Sequence, residues 1–161
     1  MCEKLKTLGV TLDSALTFED HINGVVRSCN FYIRALRHIR RNLTQEVAYT
    51  VACSIVGTRI DYCNSLFYGA SEKHLDKLQR LQNKLARVVT NTGLRDYQSV
   101  DLLRELRWLL IRSRMSFKVI TLCRRALNDD QPTYLAFKLI PYRPTRSLRS
   151  SDRELLQEPP C

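Results

Sequence analysis

The chain has 161 residues, 44% hydrophobic and 26% charged. That is enough for one domain with a real core, and it excludes an intrinsically disordered chain. The formal net charge of +10 says nothing about fold but favours polyanionic partners, nucleic acid before an anionic membrane surface.

The cysteines Cys2, Cys29, Cys53, Cys63, Cys123 and Cys161 form no C-x-x-C pair, and His21, His38 and His74 complete no zinc-ligand spacing. They read as reduced, structural thiols of an intracellular protein. No basic-then-apolar signal segment opens the chain. The best apolar run, "VAYTVACSIV", has about half the length needed to cross a bilayer.

"KLKTLGVTLD" reads as one strand, with Gly9 marking a bulge or a close approach by another backbone. Thr17 follows as an N-cap with Asp20 as its capping-box partner. Apolar residues Phe18, Ile22, Val25, Val26, Cys29, Ile33 and Leu36 recur at helical spacing and predict a helix from Phe18 to Arg40. Thr44 caps a second helix carrying Val47, Ala48, Val51, Ala52, Ile55 and Val56, continuing past Gly57 towards Leu66. Ser71 starts a third, with Leu75, Leu78, Leu81, Leu85, Val88 and Val89 on its core side. "TNTGLRDYQS" is a loop by composition. A short helix at "VDLLREL", a longer one from Leu109 to Leu127 and a last short one at "TYLAFKLI" complete the set.

The expected fold is mainly α, a bundle of five or six helices with one short N-terminal strand and an extended C-terminal tail. The expected division is strand and turn in residues 1–16, a helical domain in 17–140 and a Pro/Ser/Arg-rich tail in 141–161.

Two basic ridges carry the functional signal. On the first helix Arg27, Arg34 and Arg41 are seven apart, with His38 between the last two, opposite the apolar face. No acid occurs between Asp20 and Glu46, whereas a merely solvated face mixes signs. On the third helix Lys73, Lys77, Arg80, Lys84 and Arg87 alternate steps of four and three, offset only by Glu72 and Asp76. Ridges of this kind follow a sugar–phosphate backbone without reading sequence. Asp129–Asp130 before Gln131–Pro132 is turn chemistry rather than a two-metal site. No nucleophile elbow or phosphate-binding glycine loop occurs. Tyr62, Tyr68, Tyr97, Trp108 and Tyr142 show no period linking them to the ridges, so packing is their default role. No catalytic or metal-binding residue is assigned.

The segments "LGVTLDSALTFEDHI", "RIDYCNSLFYG", "LDKLQRLQNKLARVV", "LLRELRWLLIRSRMSFKVITL" and "RSLRSS", in this order, resemble the C-terminal part of non-LTR (LINE-type) retrotransposon reverse transcriptases of the jockey, CR1 or L2 kind. The resemblance runs from about Lys4 to Leu156. It implies that the "LGV" strand follows a catalytic palm near the primer grip, and that the helices form the thumb and the region downstream. It implies RNA-directed DNA synthesis with two Mg²⁺ ions for the intact enzyme, with the ridges gripping RNA or an RNA–DNA duplex. The palm signature of paired aspartates on a hairpin does not occur in this sequence. The expectation is therefore a catalytically incomplete piece with no cofactor of its own, the tail end of an element as a degenerate copy or a truncated gene model, with a separate palm and fingers segment as a candidate partner. Leu110 stands where the family commonly has proline, which permits the following helix to begin earlier. A helical protein-interaction module without a nucleic-acid role is the alternative. A membrane-surface binder fits less well, since the first helix lacks a Trp-rich apolar face, and nothing points to a small-molecule substrate.

Overall fold

The computed structural model describes residues 4–93, 96–142 and 155–157. The chain forms two compact units, Met1–Ser116 and Phe117–Cys161, whose boundary falls within a helix. The fold is mainly α, as the periodicity indicates.

The opening stretch is not one strand but two. β1 (Lys4–Thr7) and β2 (Val10–Asp13) pair antiparallel, with Lys4 opposite Asp13 and Thr7 opposite Val10. Leu8 and Gly9 between them have φ of 46° and 79°, the double positive φ of a type I′ turn. Gly9 is thus a turn residue and not a bulge. The Tyr62 hydroxyl donates to the Leu8 carbonyl at 2.6 Å, which ties the turn to the helical body. Val10 is buried and Leu12 half-buried.

The expected capping box of Thr17 and Asp20 does not form. The residue preceding the first helix is Phe18, with φ 57° and no side-chain cap. Asp13 organises the entry instead, accepting from the backbone N–H groups of Ala15 (3.1 Å), Thr17 (3.0 Å) and Phe18 (2.9 Å) and from the Thr17 hydroxyl (3.0 Å). These donors, the Thr17 N–H foremost, hold the Asp13 carboxyl below its ordinary range. Asp20 pairs with Lys4 at 2.8 Å.

α1 (Glu19–Ile39) buries Ile22, Cys29, Ile33 and Leu36. It tightens into a 3₁₀ turn, Arg40–Asn42. α2 (Gln45–Val51) is capped by the Thr44 hydroxyl, which accepts from Val47 N–H at 3.3 Å. A π-helical stretch, Ala52–Gly57, joins it to α3 (Thr58–Asp61), so the helix does pass Gly57. It ends at Tyr62, short of Leu66, and a separate 3₁₀ turn spans Asn64–Phe67.

α4 (Glu72–Thr90) buries the six apolar residues its period marks. Its end is a Schellman motif: Asn91 is left-handed, Asn91 N–H reaches the Val88 carbonyl at 3.3 Å and Thr92 N–H the Arg87 carbonyl at 3.1 Å. α5 (Ser99–Glu105) follows.

α6 (Ile111–Asp129) begins two residues later than expected. Buried Gln82 donates to the Leu109 carbonyl at 2.8 Å, Gln79 Oε1 accepts from Ile111 N–H at 3.0 Å, and Arg114 Nε donates to the Leu109 carbonyl at 3.1 Å. Those three bonds fix the turn without a proline. Within the first unit one core gathers α1, the π-helical stretch, α4, α5 and the start of α6 around Phe67, Trp108 and Met115.

In the second unit Asp129 ends α6 and Asp130 takes a left-handed turn conformation, in keeping with the turn reading. α7 (Thr133–Ala136) follows. Pro141 and Leu156 form an antiparallel bridge, with Tyr142 N–H on the Leu155 carbonyl at 2.8 Å. Most of the expected tail, including Arg146–Ser150, lies outside the described residues. Cys29, Cys53, Cys63 and Cys123 are free thiols. Burial pushes the Cys29 thiol up to about 11, so it serves as a small hydrophobe. Cys2 and Cys161 lie outside the described residues.

Candidate nucleic-acid interface

α1 and α4 lie side by side and run parallel. Lys77 Nζ donates to Asn23 Oδ1 at 2.8 Å and Lys84 Nζ to Asn30 Oδ1 at 3.5 Å. Both steps are seven residues along their helices, so the two contacts keep one register. At the N-terminal ends His74 Nε2 meets Glu19 Oε1 at 3.2 Å. At the C-terminal ends Arg40 reaches the last turn of α4.

This register merges what the sequence presents as two separate ridges. At about 100° per residue, Asn23, Arg27, Asn30 and Arg34 span roughly 60° of α1, and Lys73, Lys77, Arg80 and Lys84 span roughly 60° of α4. Lys77 and Lys84 are therefore the seam itself, with Arg27 and Arg34 along one bank and Lys73 and Arg80 along the other. Arg27, Arg34, His38, Arg41, Lys73, Arg80 and Lys84 are exposed, and Lys77 is half-buried. Among the described residues none of the Arg and Lys side chains in this group takes part in a salt bridge. The lysines on the seam are held by neutral amide oxygens, which orient the ammonium groups without cancelling their charge.

Of the four acids on these two helices, Asp76 alone lies beyond a first turn, exposed between Lys73 and Lys77. Glu19, Asp20 and Glu72 occupy first turns, where parallel helix dipoles favour negative charge. Glu19 is held below the usual carboxylate range, first by its hydrogen bond to His74 and then by nearby charge, Lys77 and Lys73 included. Negative charge thus gathers at one end of the pair, while the seam's middle and far end stay basic.

Two arginines of the basic segments are committed to structure. Arg87, one of the expected contact residues, is half-buried and donates to the carbonyls of Gly93 (3.1 Å) and Tyr97 (3.3 Å) and to the Ser99 hydroxyl (2.8 Å). It fastens the loop before α5 and its guanidinium does not lie free on the ridge. Arg40 is 9% exposed. Its Nε donates to the carbonyls of Val88 (3.0 Å) and Val89 (3.1 Å), its Nη2 to Val89 (2.8 Å) and its Nη1 to Leu43 (2.7 Å). A cation on the last carbonyls of α4 complements that helix's negative end. The signal was in the spacing: Arg40 continues the Ile33–Leu36 buried stripe.

Of the aromatic residues, Trp108 is buried beside Tyr49, ring centroids 5.9 Å apart. Tyr62 holds the hairpin turn, and Tyr68, Tyr97 and Tyr142 are exposed. A cleft of about 560 Å³ between the hairpin, α1 and α3 is lined by Lys6, Asp20, His21, Ser28, Arg59 and Tyr62 among others. His21 accepts from Thr11 N–H at 3.4 Å through Nδ1. Burial and then Lys6 push its pKa down. Among the described residues no group of three or more His, Cys, Asp or Glu could hold a metal ion. No helix there is long and apolar enough to cross a membrane.

The chain is similar to the curated protein "Probable RNA-directed DNA polymerase from transposon BS" of Drosophila melanogaster, with 26% identity over 147 residues. The match covers 89% of this chain and 16% of that protein, so the chain spans about a sixth of the relative's length. No family model matches, and no solved structure matches. The likeness relates the chain to transposon proteins of the reverse-transcriptase kind.

Proposed function

We propose that this chain is a thumb-like portion of a LINE-type RNA-directed DNA polymerase that grips template–primer nucleic acid without reading its sequence. The observation that carries the proposal is the α1/α4 seam, where Arg27, Arg34, Lys77, Arg80 and Lys84 line one side of a parallel helix pair and, among the described residues, form no salt bridge. The likeness to a transposon RNA-directed DNA polymerase supports it independently. Such a surface binds phosphates by charge and counterion release. His38 and Arg41 extend it towards the C-terminal end of α1, and Lys73 towards the N-terminal end of α4.

In this reading the chain contributes grip and not chemistry. Metal-assisted nucleotide transfer would belong to a palm bearing paired aspartates, a separate segment working in the same intracellular assembly. Replacing Lys77, Arg80 and Lys84 by Gln tests the proposal, because it removes charge while leaving Gln in place to reach Asn23 and Asn30. Affinity for an RNA–DNA duplex should fall, and the salt slope should shrink by about one per lost phosphate contact. An unchanged affinity and slope would overturn it and favour a protein-interaction module instead.

A further inference from the structure

One exposed aromatic ring lies beyond the arginine bank, on the side of α1 opposite its buried face. Phe31 is 67% exposed on a helix whose apolar face is otherwise turned to the core at this level. It lies four residues beyond Arg27 and three before Arg34, so all three share one exposed flank of α1. Along the axis its Cα lies about 6 Å from that of Arg27 and about 4.5 Å from that of Arg34.

The ring is also held in place. Phe31 meets Tyr32 edge-on, with centroids 5.3 Å apart and planes at 84°. Tyr32 is itself covered by the Arg59 guanidinium, 4.4 Å from its ring centroid, and Arg59 is anchored to the Ile55 carbonyl at 2.6 Å. A chain of aromatic and cation–π contacts fixes Tyr32, and Tyr32 limits how Phe31 can turn. An exposed, oriented ring therefore stands beside two arginines that, among the described residues, form no salt bridge.

We infer that Phe31 is a base-stacking platform, and that this flank takes single-stranded nucleic acid, with an unpaired base on Phe31 and its neighbouring phosphates on Arg27 and Arg34. The inference rests on the nucleic-acid reading above and narrows it. A paired duplex hides its base faces, so it can use the arginines but not the ring. Single-strand binders combine a basic track with aromatic stacking in this way, and the stacking tolerates any base.

The test measures binding of a short fluorescent single-stranded oligonucleotide and of a blunt RNA–DNA duplex, across a salt series, to the unmodified chain, Phe31→Ala and Phe31→Trp. Phe31 lies outside the core cluster, and circular dichroism verifies that each variant is folded. Phe31→Ala should weaken single-strand binding about 5- to 100-fold, leave its salt slope unchanged and leave duplex binding within about twofold. Phe31→Trp should retain single-strand binding. An oligonucleotide made wholly of abasic sites should bind Phe31→Ala and the unmodified chain alike. Equal single-strand affinity of Phe31→Ala and the unmodified chain would overturn the stacking role and leave the grip intact. An equal loss on both nucleic acids, or a reduced slope, would overturn it too, since the effect would then run through displaced arginines. Failure of the unmodified chain to bind either nucleic acid at low salt would instead overturn the function proposed above.

Discussion

Arg40→Met removes a guanidinium while keeping most of the stem that packs beside it. Two carbonyls, those of Leu43 and Val89, then lose the only donor they have among the described residues. The Val88 carbonyl keeps the Asn91 N–H. An orphaned buried acceptor costs about 1–3 kcal/mol. Part of that is offset because a desolvated cation is no longer buried. The net expectation is a loss of about 2–4 kcal/mol, a large fraction of the stability of a small domain. Urea unfolding followed by circular dichroism reads it as a lower midpoint with an unchanged m-value. Arg40→Lys should fall between, since one ammonium cannot reach every carbonyl the planar fork does. A loss below about 0.5 kcal/mol, the size of an ordinary surface substitution, would refute the reading of Arg40 as the clamp on the end of α4.

Leu8 occupies a left-handed turn position at φ 46° with its side chain in solvent. Leu8→Asn should therefore raise stability by about 0.5–1 kcal/mol, seen as a higher melting temperature. Gln82→Met should cost about 0.5–1.5 kcal/mol, the worth of one hydrogen bond, because the Leu109 carbonyl keeps its bond from Arg114 Nε, measured by the same unfolding assay. Asp13 and Glu19 both have carboxyls held below their ordinary values. Their contribution is present above the unfolded carboxylate range, about pH 4, and is lost as pH falls through the lowered folded values. Asp13→Asn and Glu19→Gln should each flatten the stability profile below about pH 4, and Asp13→Asn should leave its slope near neutrality unchanged.

The long helices were legible because burial of one face imposes its period on the sequence. Ile22 through Leu36 and Leu75 through Val89 place α1 and α4 almost to the residue. The hairpin was hidden because Leu8–Gly9 lacks the Asn-Gly or Asp-Gly signature of a type I′ turn, and the Tyr62 contact that anchors it comes from far along the chain. The start of α6 was misplaced for a related reason. Gln79 and Gln82, which set it, sit on another helix and read locally as ordinary helix formers. Charge misled in one direction only: Arg40 and Arg87 look like members of basic ridges, yet their long side chains reach buried or loop carbonyls. Side-by-side docking of the two ridges was not written in either helix alone. It follows from the apolar core the two helices share, and its register is marked by Asn23 and Asn30, two neutral residues whose partners are Lys77 and Lys84.

The most direct measurement is the affinity of the chain for an RNA–DNA duplex across a salt series. With about five phosphate contacts from Arg27, Arg34, Lys77, Arg80 and Lys84, log affinity against log salt should fall with a slope of roughly −4 to −5. A slope near zero would contradict the central claim that this seam grips nucleic acid.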